Sequence, residues 1–443
     1  MSLRQRLSLL HRAMDDEAPA LSSIPFRRST RQSESREPLG MRARRLQRKI
    51  LSQDQSPGGR WWLLFHMVLK PLHNLLRILS LIQLVGFKVK EQFGVPIYRQ
   101  VLDQGRLVLS TGALPWAYYM CELYRDGGMH HAGELLMRSP MKYGVFKALN
   151  RLDPDARNCG RQLGDKVAVA AWCAEAGLPH PHPIIRVEKG DIVWQSRSRS
   201  DLDRDLFIKR RDSRGAAGAT AYRRVRPLEY LDDHGHTVTL DLILAQLQRK
   251  SHAWDQMVLP LLRNHPAIAD LAEHSLITFR VLTCLDEQLS PEGTNVYLRS
   301  MAKLEPRWHV GRVQEFAAPI DLKTGKLGRM TGDKPECLSD WFDRHPITGA
   351  PVAGRVVPFC QELMQLALTA HSMVPERVLV GWDLAITESG PVMLEGNSFT
   401  DTAYPQRVYQ QPIGHMRLGQ LMSFHFDRLE DKLAQSPGFF LTR

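Results

Sequence analysis

Near its C-terminus the chain reads "GWDLAITESGPVMLEGNSFTD" (381–401), which places Asp383, Glu395 and Asn397 on two apparent adjacent strands. Asp383 precedes Glu395 by twelve positions and Asn397 by fourteen, with "ESGP" between them as a hairpin turn. Successive side chains of a strand point to opposite faces, so Glu395 and Asn397 share one face. A turn at Ser389-Gly390 then brings Asp383 opposite that pair. Two carboxylates and an amide oxygen are the hard ligands that magnesium takes, with waters and substrate phosphates completing its octahedron. Taken alone, the same spacing also fits polar residues at the edge of an exposed hairpin.

Cations elsewhere favour the metal reading. "LFIKRRDSRGAAGATAYRRVRP" sets Lys209 at the end of a strand, ahead of a loop containing Gly215 and Gly218. Small residues let backbone amides approach phosphate oxygens, and a lysine supplies a point charge for them. The G-x4-GK[ST] pattern of a Walker loop is absent, and a flexible basic loop is the plainer alternative. Lys166 opens a helix in "LGDKVAVA", where a solvated lysine is the plainer reading. Arg280 is more telling, because a cation inside the apolar strand "LITFRVLT" requires a buried anion.

These residues need a scaffold larger than one core. At 443 residues the chain predicts two or three domains, and 43% hydrophobic with 24% charged residues is a globular composition. Six scattered cysteines, with no CxxC pair, point to a reducing compartment. The first twenty residues lack the apolar core and cleavage site of a signal peptide, so a cytoplasmic protein is expected.

Net charge is +12, and Met1 to Arg60 hold thirteen Lys/Arg against six Asp/Glu. Residues 1–58 therefore read as a basic disordered arm ending in the linker "SQDQSPGG". Such an arm attracts anionic surfaces, and no nucleic-acid partner is expected. Residues 59–150 read as a helical region opening with "RWWLLFHMVLKPLHNLLRILSLIQLVGF". His66, Lys70, His73, Asn74, Arg77 and Ser80 recur every three or four residues and collect on one helical face, so the segment is amphipathic. A central charge costs about 2.5 to 3.5 kcal/mol in a bilayer, which argues against a span. Two readings stay open: the apolar face packs on a neighbouring helix, or residues 61–86 lie in a membrane interface, anchored by Trp61, Trp62 and the arm.

From residue 151 to about 430 helices alternate with β-rich runs. "GDKVAVAAWCAEAGL" reads as a capped helix ended by Gly177, followed by one strand over "IIRVEKGDIVW". "DLFIKRR" and "SLITFRVLTCL" read as strands, "VPFCQELMQLALTAHSM" as a helix, and "RVLVGWDLAITESGPVMLEGN" as a closing hairpin. The fold class is α+β behind a helical N-terminal region.

In order and kind, these residues resemble the ATP-grasp superfamily, in which two α+β lobes clamp ATP. They are most similar to its sugar-transfer-associated branch, through Asp165-Lys166, "TFRVLT", "HPITGAPVAG", "GWDLAITESGP" and "LEGN". The resemblance implies that Lys166 and Lys209 contact the α- and β-phosphates and that the Gly215–Gly218 loop closes over the β- and γ-phosphates. It implies that Met257, Val258 and Leu259 offer backbone groups to adenine, that Asp383, Glu395 and Asn397 hold Mg²⁺, and that Arg280 neutralises the transferring phosphoryl group. Related enzymes have an Asn and paired glycines after the Arg-bearing strand; here "WHVGRVQEFAAPIDLKTGKLG" departs, and Arg312 or Gln314 stands in.

The activity implied is an ADP-forming ligase that activates a carboxylate as an acyl phosphate and joins it to an amine or other nucleophile. Its work is positioning and charge neutralisation, which lysines, arginine and Mg²⁺ perform well. A cell-surface saccharide or related metabolite is the acceptor that the branch suggests. A kinase of a sugar or small-molecule hydroxyl on the same fold is the first alternative, and a non-catalytic membrane-associated scaffold the second.

Overall fold

The computed structural model describes residues 37–52, 71–153, 163–196, 199–211, 219–273, 275–301, 315–334 and 337–435. Two antiparallel sheets organise them. The first has seven strands in the order β2-β1-β7-β3-β4-β5-β6. They are β1 (Ile185–Glu188), β2 (Asp191–Gln195), β3 (Leu206–Arg210), β4 (Thr220–Arg226), β5 (Glu229–Leu231), β6 (Thr237–Thr239) and β7 (Gln256–Pro260). The second has six strands in the order β11-β10-β9-β8-β12-β13. Its strands are β8 (Thr278–Leu285), β9 (Pro291–Met301), β10 (Glu315–Pro319), β11 (Thr331–Gly332), β12 (Leu379–Thr387) and β13 (Gly390–Asn397). The α+β expectation holds.

Local chemistry sets the boundaries. The helix at Lys166–Glu175 starts where Asp165 Oδ1 accepts hydrogen bonds from the Val167 and Ala168 amides, at 2.9 and 3.3 Å. Gly177, at φ 66°, lies two residues beyond its end. The single strand expected over "IIRVEKGDIVW" is instead the β1–β2 hairpin, because Lys189 and Gly190 both take positive φ and turn the chain. The β12–β13 hairpin pairs Thr387 with Gly390, so its two-residue turn is Glu388-Ser389, one position earlier than expected.

The second sheet is covered on both faces. Phe279, Val281, Leu298, Trp382 and Leu384 point into a core shared with the Lys166–Glu175 helix and a helix at Cys360–Ser372. On the other face Leu282, Cys284 and Leu379 pack under a helix at Arg417–Gln435 and an N-terminal helix, α1 (Leu39–Ser52). Further along that face, Tyr297 and Ala317 meet Tyr118, Tyr119 and Tyr404.

α1 corrects the expectation of a disordered arm through residue 58. Leu39, Ala43, Leu46 and Ile50 form an apolar stripe with helical spacing and are buried. Its arginines are not all solvated: Arg42 Nε donates to Glu430 at 2.7 Å and Nη1 to the Ser423 carbonyl at 3.0 Å. Composition counted these cations as solubilising, whereas tertiary structure gives Arg42 and Arg45 carboxylate partners. Residues 1–36 and 53–70, with Trp61 and Trp62, lie outside the described residues.

The apolar helix α2 (Pro71–Phe93) inverts the expected polarity. Asn74, assigned to the polar face, is buried beside Ile78, Leu81, Ile82 and Val85, whereas Leu72, Leu75, Leu76, Leu79 and Phe87 are 47 to 60% exposed. The following helix, α3 (Ile97–Thr111), adds exposed Tyr98, Leu102 and Leu109. Among the described residues α2 alone is long and apolar enough to cross a membrane, by length and composition. Packing on a neighbour accounts for one side of this helix only.

Candidate active site

The chemistry gathers on the face of the second sheet that the N-terminal region covers. Cross-strand register builds it. Asp383 on β12 stands opposite Glu395 on β13 and, on its other side, opposite Arg280 on β8. Arg280 stands opposite Tyr297 on β9, and Arg299, two residues on, shares its face. β10 continues the row with Glu315, opposite Met301. Alternation and register together line up charges across five strands.

Asp383 and Arg280 form a bidentate pair, with Nε to Oδ1 at 2.6 Å and Nη2 to Oδ2 at 2.9 Å. Arg280 is the cation whose buried anion the sequence demanded, and Asp383 is that anion. Both are nearly buried. Burial opposes ionisation of Asp383, but the charges of Arg280 and Arg299 outweigh it and hold its carboxyl below the usual range. Arg299 Nη1 also reaches Asp383 Oδ1 at 3.3 Å, while Nε and Nη2 hold Glu315 at 2.7 and 2.8 Å. For Arg299 as well, burial lowers the guanidinium pKa and the Glu315 and Asp383 charges raise it further.

Asn397 closes the cluster. Its Nδ2 lies 3.4 Å from Asp383 Oδ2 and 3.5 Å from Glu395 Oε1, so a group of partial positive charge sits between the two carboxylates. Among the described residues no set of three or more His, Cys, Asp or Glu side chains is arranged to hold a metal. Two carboxylates and an amide are the hard donor types that a dication takes, and turning the Asn397 amide over presents Oδ1 in place of Nδ2 to the same space.

The glycines of both motifs have packing reasons. A Cβ on Gly381 would collide with the Thr400 hydroxyl and lie 3.3 Å from Arg280 Cδ, and Arg280 Nη1 reaches that hydroxyl at 3.3 Å. A Cβ on Gly396 would come within 2.7 Å of the Trp382 ring. "GWD" and "EGN" therefore interlock: one strand's tryptophan needs the other's glycine.

Of the two lysines, Lys209 belongs to the first sheet and Lys166 opens the helix packed on the second. Lys166, 7% exposed at the start of its helix, has Nζ 3.9 Å from Glu395 Oε2. Lys209, at the end of β3, is partly buried; burial and then the Lys166 charge lower its pKa to about 8, against the pull of Glu395. Met257, opposite Lys209, and Val258 and Leu259 are buried in β7 between β1 and β3. The Val258 carbonyl accepts from the Ile184 amide at 2.7 Å. Gly215, Gly218, Arg312 and Gln314 fall outside the described residues.

Sequence reasoning missed Arg299, Glu315 and His180. Arg299 sits in "NVYLRSM", a cation within an apolar run, and the rule that flagged Arg280 applies to it equally. Glu315 follows from no local signal, since only register places it beside Arg299. His180 has both ring nitrogens buried without a hydrogen-bond partner among the described residues, and burial followed by the Lys209 charge pushes its pKa down to about 3.

Comparison with known proteins gives the cluster a context. Residues 154–420, more than half of the chain, match the family described as sugar-transfer associated ATP-grasp. No curated protein matches the sequence. Solved structures similar to this chain include the D-alanine-D-alanine ligase from Coxiella burnetii, at 11% identity and TM-score 0.35, over 64% of each chain. The VanG D-Ala:D-Ser ligase from Enterococcus faecalis shares 14% identity at TM-score 0.31, over 64% of this chain and 63% of that one. N5-carboxyaminoimidazole synthase from Aspergillus clavatus shares 9% at TM-score 0.29, over 58% and 53%. The chain thus spans less than two thirds of the length of these three proteins. The match over 154–420 shows the family: this chain belongs to the sugar-transfer associated ATP-grasp proteins.

Proposed function

We propose that the chain is an ATP-dependent, ADP-forming ligase that activates a carboxylate as an acyl phosphate and joins it to an amine or other nucleophile. The observation that carries this reading is the row Glu395–Asp383–Arg280–Arg299, two acids beside two arginines on one sheet face, facing two lysines. A phosphoryl group in transfer spreads charge over its oxygens, and fixed cations stabilise it without reorganising. Lys166 and Lys209 hold nucleotide phosphates, and Arg280 and Arg299 steady the transferring group. Asp383, Glu395 and Asn397 are the residues that would hold Mg²⁺, which supplies charge neutralisation between phosphate oxygens. The Gly215–Gly218 loop completes the phosphate assignment, whereas the backbone of Met257, Val258 and Leu259 is engaged by β1 and β3 and is not open to adenine. We take 151–430 as the ATP-grasp domain and 59–150 as its helical N-terminal region.

The experiment is product analysis across carboxylates, amines and amino sugars, the last because the family is associated with sugar transfer. ADP and inorganic phosphate are expected, with hydroxylamine trapping a hydroxamate and Glu395→Ala abolishing turnover. Release of AMP and pyrophosphate contradicts the reading, and a stable phosphate ester makes the protein a kinase. Absence of nucleotide binding leaves the scaffold alternative.

We further propose that the enzyme works on the cytoplasmic side of a membrane, seated through α2. Its row of exposed leucines with Phe87, and the neighbouring Tyr98, Leu102 and Leu109, supports this placement, as does the basic N-terminal segment. Flotation with anionic vesicles is expected, and Leu75→Glu with Leu79→Glu abolishes it; equal flotation of both proteins removes α2 from the contact.

A further inference from the structure

Helix α1 carries a cation without a counter-ion among the described residues. Arg44 is 6% exposed, and its Nη1 and Nη2 are sealed from solvent with no hydrogen-bond acceptor among the described residues. Its neighbours on the helix differ: Arg42 meets Asp427 and Glu430, and Arg45 meets Glu37 and Glu430. The charge that bears on Arg44 is Arg48, of the same sign, and burial first and Arg48 second push its guanidinium pKa down to about 9.

Helical periodicity aims Arg44 at a definite wall. Gly40 and Gln47, four residues before and three after, share its face. Gly40 packs so closely on the Leu135 carbonyl that a Cβ would collide with it, and Gln47 Nε2 lies 3.5 Å from the Ser139 carbonyl oxygen. Arg44 therefore faces the Leu135–Ser139 segment between these two contacts. Ser139 Oγ is itself buried without a partner among the described residues. A buried ion left unpaired costs several kcal/mol, and folds that keep one normally complete it with an opposite charge. Two orphaned polar groups along one wall, both able to donate, select an oxyanion.

We propose that Arg44 and Ser139, with exposed Arg48 one turn along, form a binding site for an oxyanion, a phosphate or carboxylate group, in the helical layer over the catalytic sheet. The layer adjoins the charged row. Leu46 and Ile50 of α1 share a core with Phe146, Leu282 and Leu379, and the Phe146 ring meets Phe399, two residues past Asn397, edge-on at 6.0 Å. The anion is either a second charged group on a substrate or a free phosphate, and the chemistry of recognition is the same.

The probe is inorganic phosphate, titrated against chloride at constant ionic strength while the full chain is melted. The wild-type melting temperature rises by about 1 to 3 °C with phosphate. Arg44→Met loses that increment, and Ser139→Ala keeps it at several-fold weaker affinity. In chloride alone Arg44→Met melts no lower than wild type, because a methionine of similar length replaces an uncompensated ion. Equal phosphate shifts in wild type and Arg44→Met overturn the site, as does no shift in wild type. Arg44→Met melting well below wild type in chloride also overturns it, since the guanidinium then already has a partner. The readout does not involve nucleotide, so it stands or falls apart from the ligase reading. Phosphate inhibition of turnover in wild type but not in Arg44→Met, competitive with one substrate, assigns the site to that substrate's own anion. Turnover insensitive to phosphate assigns it to a free ion.

Discussion

The two sheets differ in how they are enclosed. Every residue of β2 in the first sheet is exposed, as are the last four residues of β4, and its buried cluster is small. β8 and β12 in the second sheet are buried almost end to end, between two separate cores. The sheet with the larger enclosure holds the row of opposed charges, while the first sheet presents Lys209 near its middle. A charge network that must keep sub-ångström geometry benefits from strands whose rotamers are locked on both faces, whereas a lobe that closes on a nucleotide need not be so confined.

Breaking the row itself is expected to have the largest effect. Asp383→Ala strands buried Arg280, whereas Arg299 keeps Glu315, and removing one partner of a buried pair costs about 3 to 5 kcal/mol. A large fall in the denaturation midpoint is expected, together with loss of turnover; an unchanged midpoint would show that Arg280 finds another partner.

Packing sharpens the comparison next. Leu384, fully buried in β12, should cost about 2 to 5 kcal/mol when cut to alanine. Ile192→Ala, in exposed β2, should stay within about 0.5 kcal/mol. Similar urea midpoints for the two variants would contradict the difference in enclosure.

The lysine contribution appears only with ligand. On the proposed function, Mg-ATP at a hundred times its Kd is expected to stabilise the folded chain by about 2.7 kcal/mol. Lys209→Met is expected to remove most of that shift while the unliganded melt changes little; identical shifts take Lys209 out of the site.

The smallest expected effect is a pH dependence. With its pKa held at about 8 by burial and by Lys166, Lys209 is charged below pH 8 and neutral above it. Phosphates favour the charged form, so nucleotide binding is expected to take up a proton as the pH rises above about 8, and Mg-ATP affinity to fall there. Calorimetry in buffers of different ionisation enthalpy measures the uptake, and Lys209→Met should flatten it.

Much of the site was legible because it obeys short-range rules. Period-two alternation put Glu395 and Asn397 on one face, a two-residue turn brought Asp383 back opposite them, and a cation in an apolar strand announced a hidden anion. What failed was the assignment of partners across the chain. Arg42 looked like tail composition until a helix some 380 residues later supplied Glu430 and Asp427. The buried face of α2 could not be told from its outer face, because leucines lie on both sides and only packing decides which are covered.

By itself the sequence determined the strand and helix periods, the glycines and the acid–amide spacing of the hairpin, since each depends on backbone geometry within a few residues. Tertiary structure alone decided that Asp383 answers Arg280, that Arg299 and Glu315 extend the row, and that Arg44 is buried without an anion among the described residues. Those outcomes depend on register between strands and on which helix covers which face, and free energies of that kind are set by contacts between residues far apart in the chain.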